Sequence, residues 1–292
     1  MPRHELANVN GVITPLHAAT VPVADHGFLY GESVYETLRT YGGRPFLVER
    51  HLDRLERSAA AIRLQLPWGR GQLVSEIERT LAQANDAGTG LVIRIIASRG
   101  PGPLGYDPSL CAAPTLVILV RDLDPVPAGD RDVGIHAVVA TVRRNPIEAL
   151  NPRIKSSNLL NNILAAHQAL DAGASEAILF NTSGYLAEGT LTNVFMVRED
   201  LIMTPSLECG ILSGLTRELL LELARAGGMR CEEGLYLRQD LNEADEVLLT
   251  STTREVLPVA RLDSHPVGAG SRGPVTRKLQ EMFRRRVEAT LA

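Results

Sequence analysis

Only two lysines occur in this 292-residue chain, Lys155 and Lys278, although lysine and arginine together number 30. Guanidinium stays protonated, so arginine cannot stand in where a nucleophilic amine is needed. Any amine chemistry therefore falls to one of two side chains. Lys155 follows Asn151-Pro152-Arg153-Ile154 and opens an apolar, helix-like run. An amine desolvated at such a place holds its proton less tightly and can form a Schiff base. The same position also suits a surface lysine near a helix end. Lys278, in Thr276-Arg277-Lys278-Leu279, sits among arginines on a basic helix and reads as solvated.

Three further stretches supply groups such an amine would work with. Glu188, within Gly184-Tyr185-Leu186-Ala187-Glu188-Gly189-Thr190, reads as a carboxylate in a tight turn between two core strands. A carboxylate there suits a buried cationic nitrogen. Gly210-Ile211-Leu212-Ser213-Gly214-Leu215-Thr216 runs straight into a helix, where free N–H groups and the Thr216 hydroxyl suit a phosphate. Thr250-Ser251-Thr252-Thr253 ends a strand with four successive hydroxyls, apt for phosphate or carboxylate oxygens. Each alone has a commonplace structural reading. Together they supply an amine, a carboxylate and a phosphate cradle, the set that a pyridoxal phosphate site requires.

Other patterns carry less chemistry. Gly100, Gly102 and Gly105 spell a dinucleotide-type glycine motif, but Pro101 and Pro103 interrupt it and Tyr106-Asp107-Pro108 follows, so a turn between strands is expected. Seven histidines with no i, i+4 pair predict no metal site. Cys111, Cys209 and Cys231 lie far apart, which fits a reduced, cytoplasmic protein. Asn181-Thr182-Ser183 is a glycosylation sequon without a secretory segment to give it meaning. A formal net charge of -4 supplies no field for nucleic acid, and Arg284-Arg285-Arg286 reads as a solvated helix face. No apolar stretch approaches the roughly 18 to 20 residues that span a bilayer.

These groups need elements to hold them. Ser33 to Tyr41 alternates apolar and polar residues as a half-buried strand does, and Gly42-Gly43 reads as its turn. Leu47 to Leu64 and Leu73 to Ala87, the latter ended near Gly88, have helical spacing. Leu91 to Ala97, Thr115 to Val120, Val133 to Val142, Glu176 to Phe180, Asn193 to Val197, Leu201 to Thr204 and Glu246 to Thr250 read as strands. Lys155 to Ala172, Leu215 to Ala226 and Val275 to Leu291 read as helices. Proline, glycine and charge mark 121–132 as a linker. The expectation is an α+β chain with an N-terminal domain over 1–120 and a C-terminal domain over 133–292 that carries Lys155.

In order and spacing, six stretches resemble the fold type IV (class IV) pyridoxal-phosphate aminotransferases. This family includes branched-chain and D-amino-acid aminotransferases and aminodeoxychorismate lyases. The stretches are Asp25-His26-Gly27-Phe28-Leu29-Tyr30-Gly31 through Glu36 and Arg39, His51-Leu52-Asp53-Arg54-Leu55, Ile154-Lys155-Ser156 with Asn158, Glu188-Gly189-Thr190 with Asn193-Val194-Phe195, Gly214-Leu215-Thr216-Arg217, and Ser251-Thr252-Thr253 with Glu255. The resemblance runs from about Val21 to Arg285 and implies the two-domain D-amino-acid-aminotransferase-like fold with pyridoxal 5'-phosphate as cofactor.

It also implies roles. Lys155 resembles the Schiff-base lysine that shuttles the Cα proton, and Glu188 the acid on the pyridine nitrogen. Arg54, Leu215, Thr216 and Thr252 resemble phosphate ligands. Tyr35, Arg94, Thr252 and Thr253 resemble substrate-side residues, although Arg94 would equally suit a strand ion pair. Some departures bear on substrate. Leu159 and Val92 stand where many branched-chain enzymes have tyrosine, and Thr37 where they commonly have glycine; a threonine there resembles the lyases, which however tend to carry a lysine at the position of Arg94. The arginine and histidine that D-amino-acid enzymes use near Leu104 and Tyr106 are missing. Arg94 and Gly102-Pro103-Leu104-Gly105-Tyr106-Asp107 resemble the branched-chain group. The expected reaction is ping-pong transfer between L-branched-chain amino acids and 2-oxoglutarate in a homodimer. The alternatives are aminodeoxychorismate lyase and then D-amino-acid or (R)-amine transaminase.

Overall fold

The computed structural model describes residues 5–84 and 90–291. Its contacts divide the chain into two compact units. The first runs to Pro125 and takes in Ile154–Asn158 and Leu291, and the second holds Val126–Arg153 and Leu159–Thr290.

In chain order the first unit contains β1 (Leu6–Val9), β2 (Val12–Pro15), α1 (His26–Tyr30), β3 (Ser33–Tyr41), β4 (Arg44–Pro45), α2 (Val48–Ala61), α3 (Arg70–Gln83), β5 (Leu91–Ser98) and β6 (Thr115–Asp122). The six strands form one antiparallel sheet in the order β2-β1-β6-β5-β3-β4. Val34 and Leu38 of β3 pack with Leu52 and Leu55 of α2, Leu73 and Ile77 of α3, and Ile93, Ile95 and Ile118 of the neighbouring strands. Helix α3 covers much of the stretch read as Leu73 to Ala87; Ala87 and Gly88 lie outside the described residues. After the Gly100-Gly102-Gly105 segment come a single 3-10 turn, Pro108–Leu110, and then β6, so no α-helix follows the glycines.

The second unit contains α4 (Ala128–Asp132), β7 (Ile135–Val139), α5 (Leu160–Asp171), β8 (Glu176–Phe180), β9 (Leu186–Gly189), β10 (Asn193–Arg198), β11 (Leu201–Pro205), α6 (Leu215–Ala226), β12 (Cys231–Gly234), α7 (Arg238–Asn242), β13 (Glu246–Ser251), β14 (Glu255–Leu262), β15 (His265–Pro266) and α8 (Pro274–Leu291). Its sheet is mixed, with β9 pairing both β8 and β10. Strands β10, β13, β14, β7, β8 and β9 thus close into a ring around Ile178, Phe180, Leu186, Val194, Met196, Leu249 and Leu257. Among the described residues no helix is long and apolar enough to cross a membrane, and no group of three metal-binding side chains is present.

Three sequence expectations are corrected. Lys155 does not open a helix, because α5 begins at Leu160. Residues 154–158 instead run, with bends, along the edge of β3 that β5 does not use, with a bridge between Val34 and Ser156. Tyr35 N–H donates to Lys155 O at 2.9 Å and Ser157 N–H to Ser33 O at 3.0 Å. Backbone groups spent on that edge are lost to a helix ladder. This short return is also why Lys155 is counted with the first unit rather than with the chain that surrounds it. Second, Glu188 lies within β9 rather than in a turn; the turn is earlier, at Gly184 with φ +84°. Third, the segment read as a linker is partly ordered structure. β6 extends to Asp122 and α4 starts at Ala128, with the division of units at Pro125.

Candidate active site

Strand β3 presents two rows of side chains, since successive residues alternate between faces. Val34, Glu36 and Leu38 share the row that packs on α2. Glu36 is therefore a carboxylate within an apolar row, and it is 0 % exposed. Its Oε1 accepts from Arg54 Nε at 2.7 Å and its Oε2 from Arg54 Nη2 at 2.8 Å. His51, three residues earlier on α2, brings Nδ1 to 2.7 Å from Oε2. Bidentate pairing of this kind fixes the plane and position of a guanidinium. Burial pushes the Glu36 carboxyl up, but the Arg54 charge and the hydrogen bonds from Arg54 and His51 outweigh it and hold the group far below the usual carboxylate range. Burial pushes His51 down from its ordinary value despite Glu36, with the Arg54 and Lys155 charges adding to the effect. The neutral imidazole then donates from Nδ1 to Glu36.

This arrangement makes the protein acid-labile. Below about pH 6.5 the unfolded chain protonates His51 while the folded chain resists, and below about pH 4.3 the same holds for Glu36. Both differences leave more protons on the unfolded state, so stability falls as pH falls. Urea midpoints measured from pH 8 to pH 5 are expected to decline, and a His51→Asn variant should flatten the part of the decline between pH 7 and 5. An unchanged slope in that variant would remove His51 from the account.

The other row of β3 holds Tyr35. Lys155 Nζ lies 4.4 Å from the Tyr35 ring centroid, and Arg94 Cζ lies 4.0 Å from the same centroid. Two cations thus share one buried ring, a contact that holds both without neutralising either. Lys155 N–H is fixed by Ser58 Oγ of α2 at 3.1 Å. Among the described residues, Lys155 Nζ makes no hydrogen bond or ion pair, and Arg94 makes no strand ion pair. The first unit therefore gathers Tyr35, Arg94 and Lys155, with Arg54 held by Glu36.

In the second unit, Glu188 is 5 % exposed and Arg144 8 %. Glu188 accepts from Arg144 Nε at 2.7 Å, from Leu212 N–H at 3.0 Å and from Asn193 Nδ2 at 3.4 Å. Asn161 Oδ1 takes Arg144 Nη1 at 3.0 Å, so the arginine is held from its far side as well. Three donors leave the carboxylate room for one more. Asn193 Nδ2 also donates to Leu212 O at 3.0 Å, tying Glu188 to the loop before α6. That loop ends at Gly214, the N-cap of α6, where no side chain caps the helix. A Cβ at Gly214 would collide with Asn193 Oδ1, so only glycine permits this approach. Leu215 is buried and has only its N–H to offer, whereas Thr216 adds a hydroxyl. Thr252 and Thr253 lie half-buried in the turn after β13, which Arg254 N–H closes onto Ser251 Oγ at 3.2 Å. An acid with spare acceptor capacity and an uncapped helix start fit a cationic ring nitrogen and a phosphate respectively.

Several of these residues carry no role in the sequence reading. Glu36 and His51 stand in the matched stretches, and a carboxylate two residues from each of Val34 and Leu38 is the signal that it faces a core. Asn193 also stands in a matched stretch, but like Arg144 and Asn161 it carries no such burial signal. Their pairing with Glu188 depends on β9 and β10 coming together.

The Amino-transferase class IV family model matches residues 33–262. A Methanocaldococcus jannaschii protein provisionally named a branched-chain-amino-acid aminotransferase is 37 % identical over 278 residues, covering 94 % of each chain. A D-alanine aminotransferase of Bacillus licheniformis is 32 % identical over 271 residues and 93 % of each chain. Among solved structures, a T.th. branched-chain amino acid aminotransferase complexed with N-(5'-phosphopyridoxyl)-L-glutamate aligns with a TM-score of 0.90 at 29 % identity, over 98 % of this chain and 95 % of that one.

Proposed function

The chain belongs to the class IV aminotransferases, and from that premise we propose that it moves amino groups between L-branched-chain amino acids and 2-oxoglutarate by a ping-pong route. It is a pyridoxal-phosphate-dependent transaminase of the branched-chain-like kind, with the fold type IV architecture and small amino and keto acids as substrates. The cofactor, when bound, supplies an aldehyde that takes up the amino group and a ring that accepts electrons from Cα.

The chain's own residues would do the rest. Lys155 Nζ would hold the cofactor's aldehyde and would carry the Cα proton. Its seat on the Tyr35 face, with no ion pair among the described residues, is the observation that carries this reading. Glu188, held by Arg144, would keep the proton on the ring nitrogen. Arg54, the N–H groups of Leu215 and Thr216, the Thr216 hydroxyl and Thr252 are assigned to the phosphate. Tyr35, Arg94, Thr252 and Thr253 are assigned to the substrate. The M. jannaschii and T.th. relatives support the branched-chain, glutamate-linked pairing. The D-alanine aminotransferase relative supports a second reading, with D-amino acids as donors.

The deciding measurement is visible absorbance of the pure protein with L-leucine and no keto acid. Bleaching of the lysine-bound cofactor band is the expected result. A band that ignores L-leucine but responds to D-alanine would move the substrate to the second reading. Release of pyruvate from aminodeoxychorismate would replace transfer by elimination. A homodimer is the proposed working form. Val23, Phe28, Leu104 and Tyr106 expose apolar surface on the first unit that a second copy would cover, and light scattering at twice the chain mass is expected.

A further inference from the structure

We propose that Glu176 is a positioning residue for the transaminase site, acting through Arg254 and the turn at Thr190–Thr192; this rests on the function proposed above. Glu176 opens β8 and is 2 % exposed, and among the described residues none of its hydrogen bonds or ion pairs goes to a residue assigned to cofactor or substrate. Its Oε1 accepts from the N–H groups of Ala177 and Thr190, each at 3.0 Å, and from the Thr190 hydroxyl. Its Oε2 accepts from Arg254 Nη1 at 3.1 Å and Thr192 Oγ1 at 3.4 Å.

The positions of those donors give the carboxylate its meaning. Thr190 is two residues beyond Glu188, and the turn it begins folds tightly against β9. Gly189 N–H donates to Thr192 O at 2.7 Å, and a Cβ on Gly189 would collide with Thr192 Oγ1. Arg254 adjoins Thr252 and Thr253, and its side chain has no other polar partner among the described residues. One buried carboxylate therefore joins the segment that follows the ring-nitrogen acid to the turn assigned to phosphate and substrate carboxylate. Burying a charge is costly unless it is paired and hydrogen-bonded, and here the partners include the turn after Glu188 and the arginine next to Thr253. Charge-assisted bonds fix such positions more tightly than neutral ones.

Arg254→Ala in the full-length enzyme tests this. Expected are a KM for the amino donor raised about tenfold with kcat changed less than twofold, recovery of most of the loss in Arg254→Lys, and a Glu176→Gln/Arg254→Ala double variant no worse than the worse single one, as for groups acting in one network. The second readout needs no cofactor. In apo protein, Arg254→Ala should speed amide hydrogen exchange at residues 190–192 as well as at 251–255. An unchanged KM overturns the proposal, whether or not exchange changes, because the link would then be structural only. A raised KM with unchanged exchange at 190–192 also overturns it, because Arg254 would then be meeting substrate directly. Failure of the transaminase reading itself would show separately, as wild-type protein without turnover of any amino donor.

Discussion

Lys155→Ala should lower kcat by about 10⁴-fold or more, the scale of losing both an amine nucleophile and a positioned proton carrier. Lys155→Arg should fail as badly, because a guanidinium neither gives up its proton at working pH nor forms the covalent link. The two-lysine composition makes the attribution unusually clean. Borohydride reduction of the loaded wild type, followed by peptide mapping, should place the cofactor on the peptide holding Lys155 and leave Lys278 unmodified. Stability should change little, since among the described residues Nζ makes no ion pair and the pinning bonds at Lys155 come from its backbone N–H and C=O. A Lys155→Ala protein keeping even one per cent of wild-type turnover would end the assignment.

Glu36→Gln should destabilise the protein by about 3–5 kcal/mol, the usual loss when one member of a buried ion pair is removed and its partner charge stays behind. Arg54 is 4 % exposed and cannot reach water without moving α2. The amide can still accept one hydrogen bond from Arg54, but it presents an N–H₂ where the second carboxylate oxygen was. Urea unfolding measures the loss. Replacing both partners, as in Glu36→Gln/Arg54→Leu, should recover part of the stability because no buried charge is then left alone. Pyridoxal phosphate affinity should fall in the single variant and not return in the double one, if Arg54 takes the phosphate as proposed. A single variant within about 1 kcal/mol of wild type would mean that Arg54 finds another anion.

What can be seen in the sequence follows from the range of the interactions concerned. β3 is legible because alternation is a local pattern, and its observed bounds, Ser33–Tyr41, are those of the alternating run. α6 is legible because Gly214 and Gly227 bracket an amphipathic stretch. The first hairpin is also legible in principle, since Asn10 and Gly11 have φ of +49° and +90°, the pair of conformations an Asn-Gly turn supplies, although the sequence reading does not use it. The stretch around Lys155 misleads because its neighbours from Leu159 onward have helical spacing, while its own conformation is set by β3, more than a hundred residues earlier. Arg144 and Asn193 become partners of Glu188 only through the pairing of β8, β9 and β10. The matched stretches locate Lys155 and Glu188 as residues of interest; the bonds that hold them come from tertiary structure.

The short return of Ile154–Asn158 to the first unit has a consequence for the order of events during synthesis. Chains emerge N-terminus first, and domains tend to fold as units as they appear. When Pro125 leaves the ribosome, the first unit has its six strands and both long helices, but Tyr35 N–H and Ser33 O still lack their partners at Lys155 and Ser157. Its β3 edge becomes complete only after about thirty more residues of the second have been made. The amine on which turnover depends is thus delivered late, by a piece of chain that cannot arrive before the second unit has begun. A gene fragment cut at the visible boundary would encode neither a finished β3 edge nor the reactive lysine.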